Sequence, residues 1–281
     1  MGHYQSFSNS FSNKFEDYRK KIDKAILSRL ESRKDSQYFT ILKKTFKGGK
    51  RSRPILLLLS YEAVDNSKKD PLPAAIIVEM LHAESLIQDD IIDEDFQRRG
   101  ETALHFSFGK KAALLSADLI LSLILEITSK YKNPKIERII SETTSKMVEG
   151  ELRELFVHES ESKIDIQDYL EIISQKTAPL FETSALLGAI IGGAKQKEEK
   201  ILANFGKKLG IAYQIRDDIS DSEKQAKINI LDQLDTSFEK KELLNKLYKD
   251  KIKEAKNKLS ELEKNKAVKL LFDFIDFARP H

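Results

Sequence analysis

The chain has 281 residues, 40% of them hydrophobic and 33% charged, and its 48 basic and 45 acidic side chains leave a formal net charge of only +3. That length can bury one large core, while so even a balance offers no field for nucleic acid; an anionic ligand has to be caught by local clusters. Cysteine is absent, which excludes disulfides, thiolate metal sites and cysteine nucleophiles, and a reducing, cytoplasmic setting is expected.

The N-terminus reads as no secretory leader, and the longest apolar stretches, 55–59 and 184–194, are too short for a bilayer, so no transmembrane segment is expected. Met1-Gly2-His3-Tyr4-Gln5-Ser6 fits the loose myristoylation pattern, but a polar, frayed terminus over 1–13 is the preferred reading. Phe15, Tyr18, Ile22, Ala25, Ile26 and Leu30 then recur at spacings of three and four, which predicts an amphipathic helix. Similar stripes predict helices over 36–46, 52–65, 72–93, 110–131, 134–158, 165–192 and 196–221, with a lysine-rich outer helix pair over 236–278. Gly48-Gly49, Asp70-Pro71-Leu72-Pro73, Gly100, Asn133-Pro134 and Gly192-Gly193 punctuate them. Pro179 lies inside one predicted helix and is expected to kink it. Period-two alternation is hard to find and no linker divides the chain. The expectation is all-α: a single domain over 1–281 with roughly ten or more helices.

Two acidic pentapeptides close strongly apolar helices, Asp89-Asp90-Ile91-Ile92-Asp93 and Asp217-Asp218-Ile219-Ser220-Asp221. In each, the first and last aspartates are four apart and share a helix face, where like charges repel unless a cation bridges them. Mg²⁺ suits that place, because it takes oxygen ligands and binds one or two carboxylates together with substrate phosphates. A solvated acidic face explains one such cluster; two, each at the end of an apolar helix, favour metal. Val78, His82, Ser85, Asp89 and Asp93 fall on one side of their helix, so His82 is either a satisfied core histidine or a phosphate ligand.

Cations stand nearby. Lys47-Gly48-Gly49-Lys50-Arg51-Ser52-Arg53-Pro54 places four of them around a glycine break that opens a helix, a setting suited to diphosphate, although without the spacing of a P-loop. Arg98-Arg99-Gly100 follows the first aspartate cluster, where the arginines could equally be ion-paired to it. Lys176-Thr177 says little alone.

As an ordered set these motifs resemble the trans-type polyprenyl diphosphate synthases: Gly-Gly-Lys-Arg-x-Arg-Pro, the first Asp-Asp-x-x-Asp, Arg-Arg-Gly, Lys-Thr and Tyr-Gln-x-x-Asp-Asp-x-x-Asp, running from Gly48 to Asp221. The resemblance implies an all-α bundle around a deep central cavity, usually a homodimer. It implies Mg²⁺-dependent head-to-tail condensation of isopentenyl diphosphate with an allylic diphosphate, with about three ions per site when substrate is bound. By the same token Lys50, Arg53, His82 and Arg99 would hold the isopentenyl diphosphate. Arg98, Lys176, Thr177 and Gln214 would hold the allylic one. Asp89, Asp93 and Asp217 would ligate metal directly, with Asp90, Asp218 and Asp221 completing the motifs through water or orientation.

Three departures stand out: Gln88 replaces a usual histidine, Gly150-Glu151 replaces a common Gly-Gln, and the stretch after Asp221 keeps only a faint echo, in which Lys227 would be a phosphate ligand. In such synthases bulk just before the first cluster limits product length; here Leu81, Glu84 and Ser85 bear on it. Ser85 leaves room, and Glu84 is turned roughly 140° from Asp89, toward another helix. A product of about C20 or longer is expected from a floor with no aromatic plug. A class I terpene cyclase or head-to-head condensing enzyme would share helices and aspartates but would not need the Lys50/Arg53 site. A silent subunit of a heteromeric synthase is the other alternative.

Overall fold

Phe11, Phe15, Tyr18, Ile22, Ile26 and Leu30 are all buried along the first helix, α1 (Asn9–Glu31). The computed structural model describes residues 9–31, 33–36, 38–64, 66–224, 230–236 and 239–277. Residues 9–13, expected in a frayed terminus, are thus the first turns of α1, because Phe11 adds one more apolar rung to the stripe.

The elements that follow are α2 (Phe39–Thr45), α3 (Ser52–Val64), α4 (Leu72–Ile92), a hairpin of β1 (Gln97–Arg98) and β2 (Glu101–Thr102), α5 (Leu104–Phe108) and α6 (Lys110–Ser129). Beyond them lie α7 (Pro134–Glu159), α8 (Ile166–Lys176), α9 (Ala178–Ile191), α10 (Gln196–Lys224), a 3₁₀ turn at Ile230–Asp232, α11 (Lys240–Leu259) and α12 (Lys266–Phe277). The predicted helix over 165–192 is two. Thr177 caps α8, and Pro179, which has no N–H to donate, occupies the first turn of α9, where that donor is not needed. The hairpin was not predicted. It pairs Gln97 with Thr102 and Arg98 with Glu101 across a turn at Arg99 and Gly100, both at positive φ, the pattern of a type I′ turn.

Contacts group the residues into two compact units, 1–58 with 70–137, and 59–69 with 138–281. In the first unit α4 packs on α6 and on α1, and α5 packs on α6. Helix α4 is apolar almost all round: Ala74–Leu81 are buried without interruption, Glu79 among them. Helix α6 is long and apolar enough, by length and composition, to cross a membrane, although the sequence was read as containing no such segment. Its Ala113, Ala117, Ile120, Leu123, Ile124 and Ile127 are buried, and a core helix packed in this way passes the same test. In the second unit α10 packs on α8, α9 and α11. Tyr169, Ile172, Ile173, Ile211, Ile215 and Ile219 form a cluster beneath the C-terminal end of α10.

Candidate active site

In the first unit the site is built where α4 ends. Asp93 caps the helix and its N–H returns to the Asp89 carbonyl at 2.8 Å, so the carboxylates of Asp89 and Asp93 are stacked one turn apart. Asp89 is half-buried and Asp93 exposed, whereas Asp90 points inward and is 5% exposed. Arg98 reaches back from the hairpin to Asp90, Nε to Oδ1 at 2.6 Å, and donates to Asp95 at 2.9 Å. The expected alternative of an arginine paired to the aspartate cluster is therefore realised at Asp90.

Arg99 goes the other way. Its guanidinium lies across the glycine pair, donating to the Gly48 carbonyl at 3.2 Å. A Cβ on Gly49 would sit 2.7 Å from Arg99 Cζ, at a backbone φ of +95°. The two glycines are the bed on which this arginine rests. Arg51, at the rim of α3, donates to Asp23 at 2.8 Å and to Glu79 at 2.6 Å, and also to the Phe46 carbonyl. Arg53 Nη1 lies 3.1 Å from His82 Nε2. Burial first, and then the guanidiniums of Arg53, Arg99, Arg98 and Arg51, hold the His82 imidazole well below the ordinary histidine range. It is neutral, and accepting through Nε2 leaves its proton on Nδ1. Lys50, next in the chain to Arg51, is half-buried.

One turn toward the N-terminus from Gln88, Glu84 is 6% exposed and accepts from Gln88 Nε2 at 2.6 Å. Burial, helped by Asp118 on α6, pushes its carboxyl up to about 7. Glu84 thus turns toward a neighbouring helix, as helical geometry suggested, and Gln88 is the partner that a buried acid needs. Ser85 is half-buried, its hydroxyl donating to the His82 carbonyl at 3.1 Å, and Leu81 is buried.

In the second unit Asp218 is the inward member of its cluster. Tyr169 donates to its Oδ2 at 2.7 Å and Gln214 Nε2 to its Oδ1 at 2.8 Å, while Thr177 donates to Gln214 Oε1 at 2.6 Å. Burial pushes the Asp218 carboxyl up to about 7 against the pull of both donors. Asp217 and Asp221 are half-buried on the outer side of the same helix. Lys176 Nζ stands between Glu151 at 2.8 Å and Glu154 at 3.0 Å, so the Glu151 that departs from the usual Gly-Gln is the lysine's counter-ion. Lys227 lies outside the described residues.

Each unit therefore repeats one arrangement: an inward aspartate tied down by protein donors, with outward aspartates on the next turns. Among the described residues no three His, Cys, Asp or Glu side chains gather closely enough to hold a metal ion by themselves. An all-oxygen pair on one turn still fits Mg²⁺, which ordinarily takes one or two carboxylates and completes its shell with water and substrate phosphate. Sequence reasoning missed Glu79, Asp95, Tyr169 and Glu154. Only Glu79 left a signal, as the one charge inside the apolar run 74–81.

A model of the polyprenyl synthetase family matches residues 35–262, most of the chain. The chain belongs to the polyprenyl synthetase family. Membership bears out the resemblance drawn from the ordered motifs. Among relatives, the chain is 37% identical over 179 residues to a geranylgeranyl diphosphate synthase of Methanosarcina mazei, an alignment covering 62% of this chain and 55% of that protein. It is 41% identical over 172 residues to a geranylfarnesyl diphosphate synthase of the same organism, covering 61% and 57%. The matches thus span little more than half the length of these curated relatives. The crystal structure of a geranylgeranyl pyrophosphate synthetase from Pyrococcus horikoshii superposes with a TM-score of 0.83 at 28% identity, covering 96% of this chain and 98% of that one. The family fold expected from the motifs, an all-helical isoprenoid synthase, is the one found.

Proposed function

We propose that this polyprenyl synthetase joins isopentenyl diphosphate to an allylic diphosphate, head to tail, releasing diphosphate and a trans-polyprenyl diphosphate of about C20 or longer. The observation that carries the reading is on α4. His82, which binds Arg53, and Asp89, which opens the carboxylate pair, are seven residues apart and share a face, about 10 Å along the axis. A cationic cradle and a metal-binding edge on one helix suit two diphosphates handled in two ways. A cyclase that takes a single diphosphate has no use for the first.

In this reading Lys50, Arg53 and Arg99 grip the diphosphate of isopentenyl diphosphate, and neutral His82 offers its Nδ1 proton. Lys176, Thr177 and Gln214 hold the allylic diphosphate. Arg98, anchored by Asp90 and Asp95, contributes to the same charge. Asp89, Asp93 and Asp217 would ligate Mg²⁺ directly, with Asp221 acting through water; Asp90 and Asp218, whose oxygens accept protein donors, orient their motifs. Bound Mg²⁺ supplies Lewis-acid stabilisation to the leaving diphosphate. The allylic C–O bond breaks and its electron pair leaves with the diphosphate, toward Lys176 and Thr177. The terminal double bond of isopentenyl diphosphate attacks the allylic carbon. A proton is then lost to the departing diphosphate, and no protein nucleophile takes part.

The exposed apolar residues of α6, Leu114, Leu115 and Leu125, support a homodimer through that face. The test is to incubate the purified chain with Mg²⁺, isopentenyl diphosphate and allylic primers of several lengths, and to identify products by mass spectrometry. Elongation that needs isopentenyl diphosphate supports the proposal; cyclised product from the primer alone, or no product, sinks it. In the same assay Ser85→Phe, which fills a half-buried floor position one turn before Asp89, is expected to shorten the product by one or more isoprene units. An identical product spectrum from both proteins would place the floor elsewhere.

A further inference from the structure

Glu79 is 1% exposed, more deeply buried than any other described carboxylate, and none of the motifs that define the site includes it. It lies on α4 one turn before His82. Its Oε1 accepts from Arg51 Nη1 at 2.6 Å and lies 3.7 Å from Arg99 Nη2. Arg51 belongs to the glycine-rich loop and Arg99 to the hairpin turn, and both hold a backbone φ of +55°, which side-chain-bearing residues seldom adopt. One carboxylate oxygen therefore ties together two strained segments that approach α4 from different parts of the chain.

The electrostatics say why it is there. Arg51, Arg53, Arg98 and Arg99 crowd one region, and desolvation together with the neighbouring guanidiniums, Arg51 foremost among them, lowers the pKa of Arg99. Such a cluster repels itself when no anion is bound. Arg98 is balanced by Asp90 and Asp95, and Arg51 by Asp23 as well as Glu79. Among the described residues the carboxylate within ion-pair distance of Arg99 is Glu79, and beyond it the arginine is steadied by the Gly48 carbonyl. A buried ion pair is seldom kept for stability, because well-packed apolar residues of like volume are often neutral or better. Preorganising a cationic cradle is a reason to keep one.

We infer that Glu79 is a positioning residue for the isopentenyl diphosphate subsite: through Arg51 and Arg99 it holds the glycine-rich loop and the hairpin turn in the geometry that receives the diphosphate. The inference rests on the assignment of Lys50, Arg53 and Arg99 to that substrate. Glu79 touches no substrate itself. It fixes where Arg99 and the loop carrying Lys50 stand before the anion arrives, and it offsets their repulsion meanwhile.

The test uses two variants of the full chain, Glu79→Gln and the double variant Arg51→Met with Glu79→Met. The double variant replaces the Arg51–Glu79 pair by apolar groups, so that the buried Arg51 guanidinium is not left without Glu79, whereas Arg99 loses that carboxylate in both variants. Calorimetric titration with isopentenyl diphosphate alone is run beside steady-state kinetics in both substrates. Both variants are expected to bind isopentenyl diphosphate about tenfold more weakly and to raise its KM by a similar factor, leaving the allylic KM within about twofold. A purely structural role would raise both KM values together, and that result overturns the inference. So does a double variant that binds isopentenyl diphosphate as the wild type does. If the wild type turned over no substrate yet bound isopentenyl diphosphate more tightly than both variants, the proposed reaction would fall while the role of Glu79 stood.

Discussion

Asp89→Ala and Asp217→Ala are each expected to lower kcat by about a thousandfold or more, because a bound divalent ion contributes several kcal/mol to the charge that develops on the leaving diphosphate. The melting temperature is expected to stay level or rise slightly. Asp89 with Asp93, and Asp217 with Asp221, are like charges one turn apart, and removing one relieves a repulsion of a few tenths of a kcal/mol, set at Asp89 against the lost attraction of Arg98. Loss of turnover without loss of stability marks a group whose work is chemical. If either variant kept more than about a tenth of the wild-type kcat with saturating Mg²⁺, that aspartate would be no ligand. Asp218→Ala sets the contrast. It strands the Tyr169 hydroxyl and the Gln214 amide in a buried setting, so its melting temperature is expected to fall as well.

Gly150→Ala tests the other substrate's subsite by steric means. The three nearest atoms that a Cβ there would meet are all backbone: the Lys176 nitrogen, the Gln175 carbonyl carbon at 2.6 Å and Lys176 Cα at 2.8 Å. No rotamer relieves that contact, so the end of α8 has to move, at a cost of about 1–3 kcal/mol. For a chain of this size that amounts to a fall of roughly 2–4 °C in Tm per kcal/mol. The displacement also shifts Lys176 away from Glu151 and Glu154, so the allylic KM is expected to rise while the isopentenyl KM holds. Thermal melting and steady-state kinetics read the two effects separately. An unchanged Tm would mean that α7 and α8 do not approach as closely here as the glycine allows.

How much of this could be read from the residues depends on how far apart the partners lie in the chain. Helix α4 and its terminal aspartates were legible, since an apolar run and two carboxylates four apart are local patterns. The Gly-Gly-Lys-Arg-x-Arg-Pro loop was legible as a cation source, but not the reason for its glycines, which is an arginine fifty residues away lying across them. The hairpin gave no periodic signal, because two-residue strands of Gln, Arg, Glu and Thr are too short to alternate. Pro179 announced a disturbance, and the disturbance is a division at Thr177, whose N–H closes α8 on the Ile173 carbonyl while Pro179 sits in the first turn of α9. Tyr169 and Asp218 were invisible as a pair, 49 residues apart, with Tyr169 hidden inside an ordinary apolar stripe. Glu79 looked like an interruption in a hydrophobic helix until its partners, Arg51 and Arg99, came from elsewhere in the chain.

The tight reversal between β1 and β2 leaves the chain no slack. Successive residues there send their guanidiniums to opposite clients, Arg98 to Asp90 and Arg99 to Gly48, and neither side chain can take the other's place without the backbone rotating. Inserting a single residue would throw both out of phase at once, so this short ribbon tolerates exchange of its outer side chains far better than any change in its length.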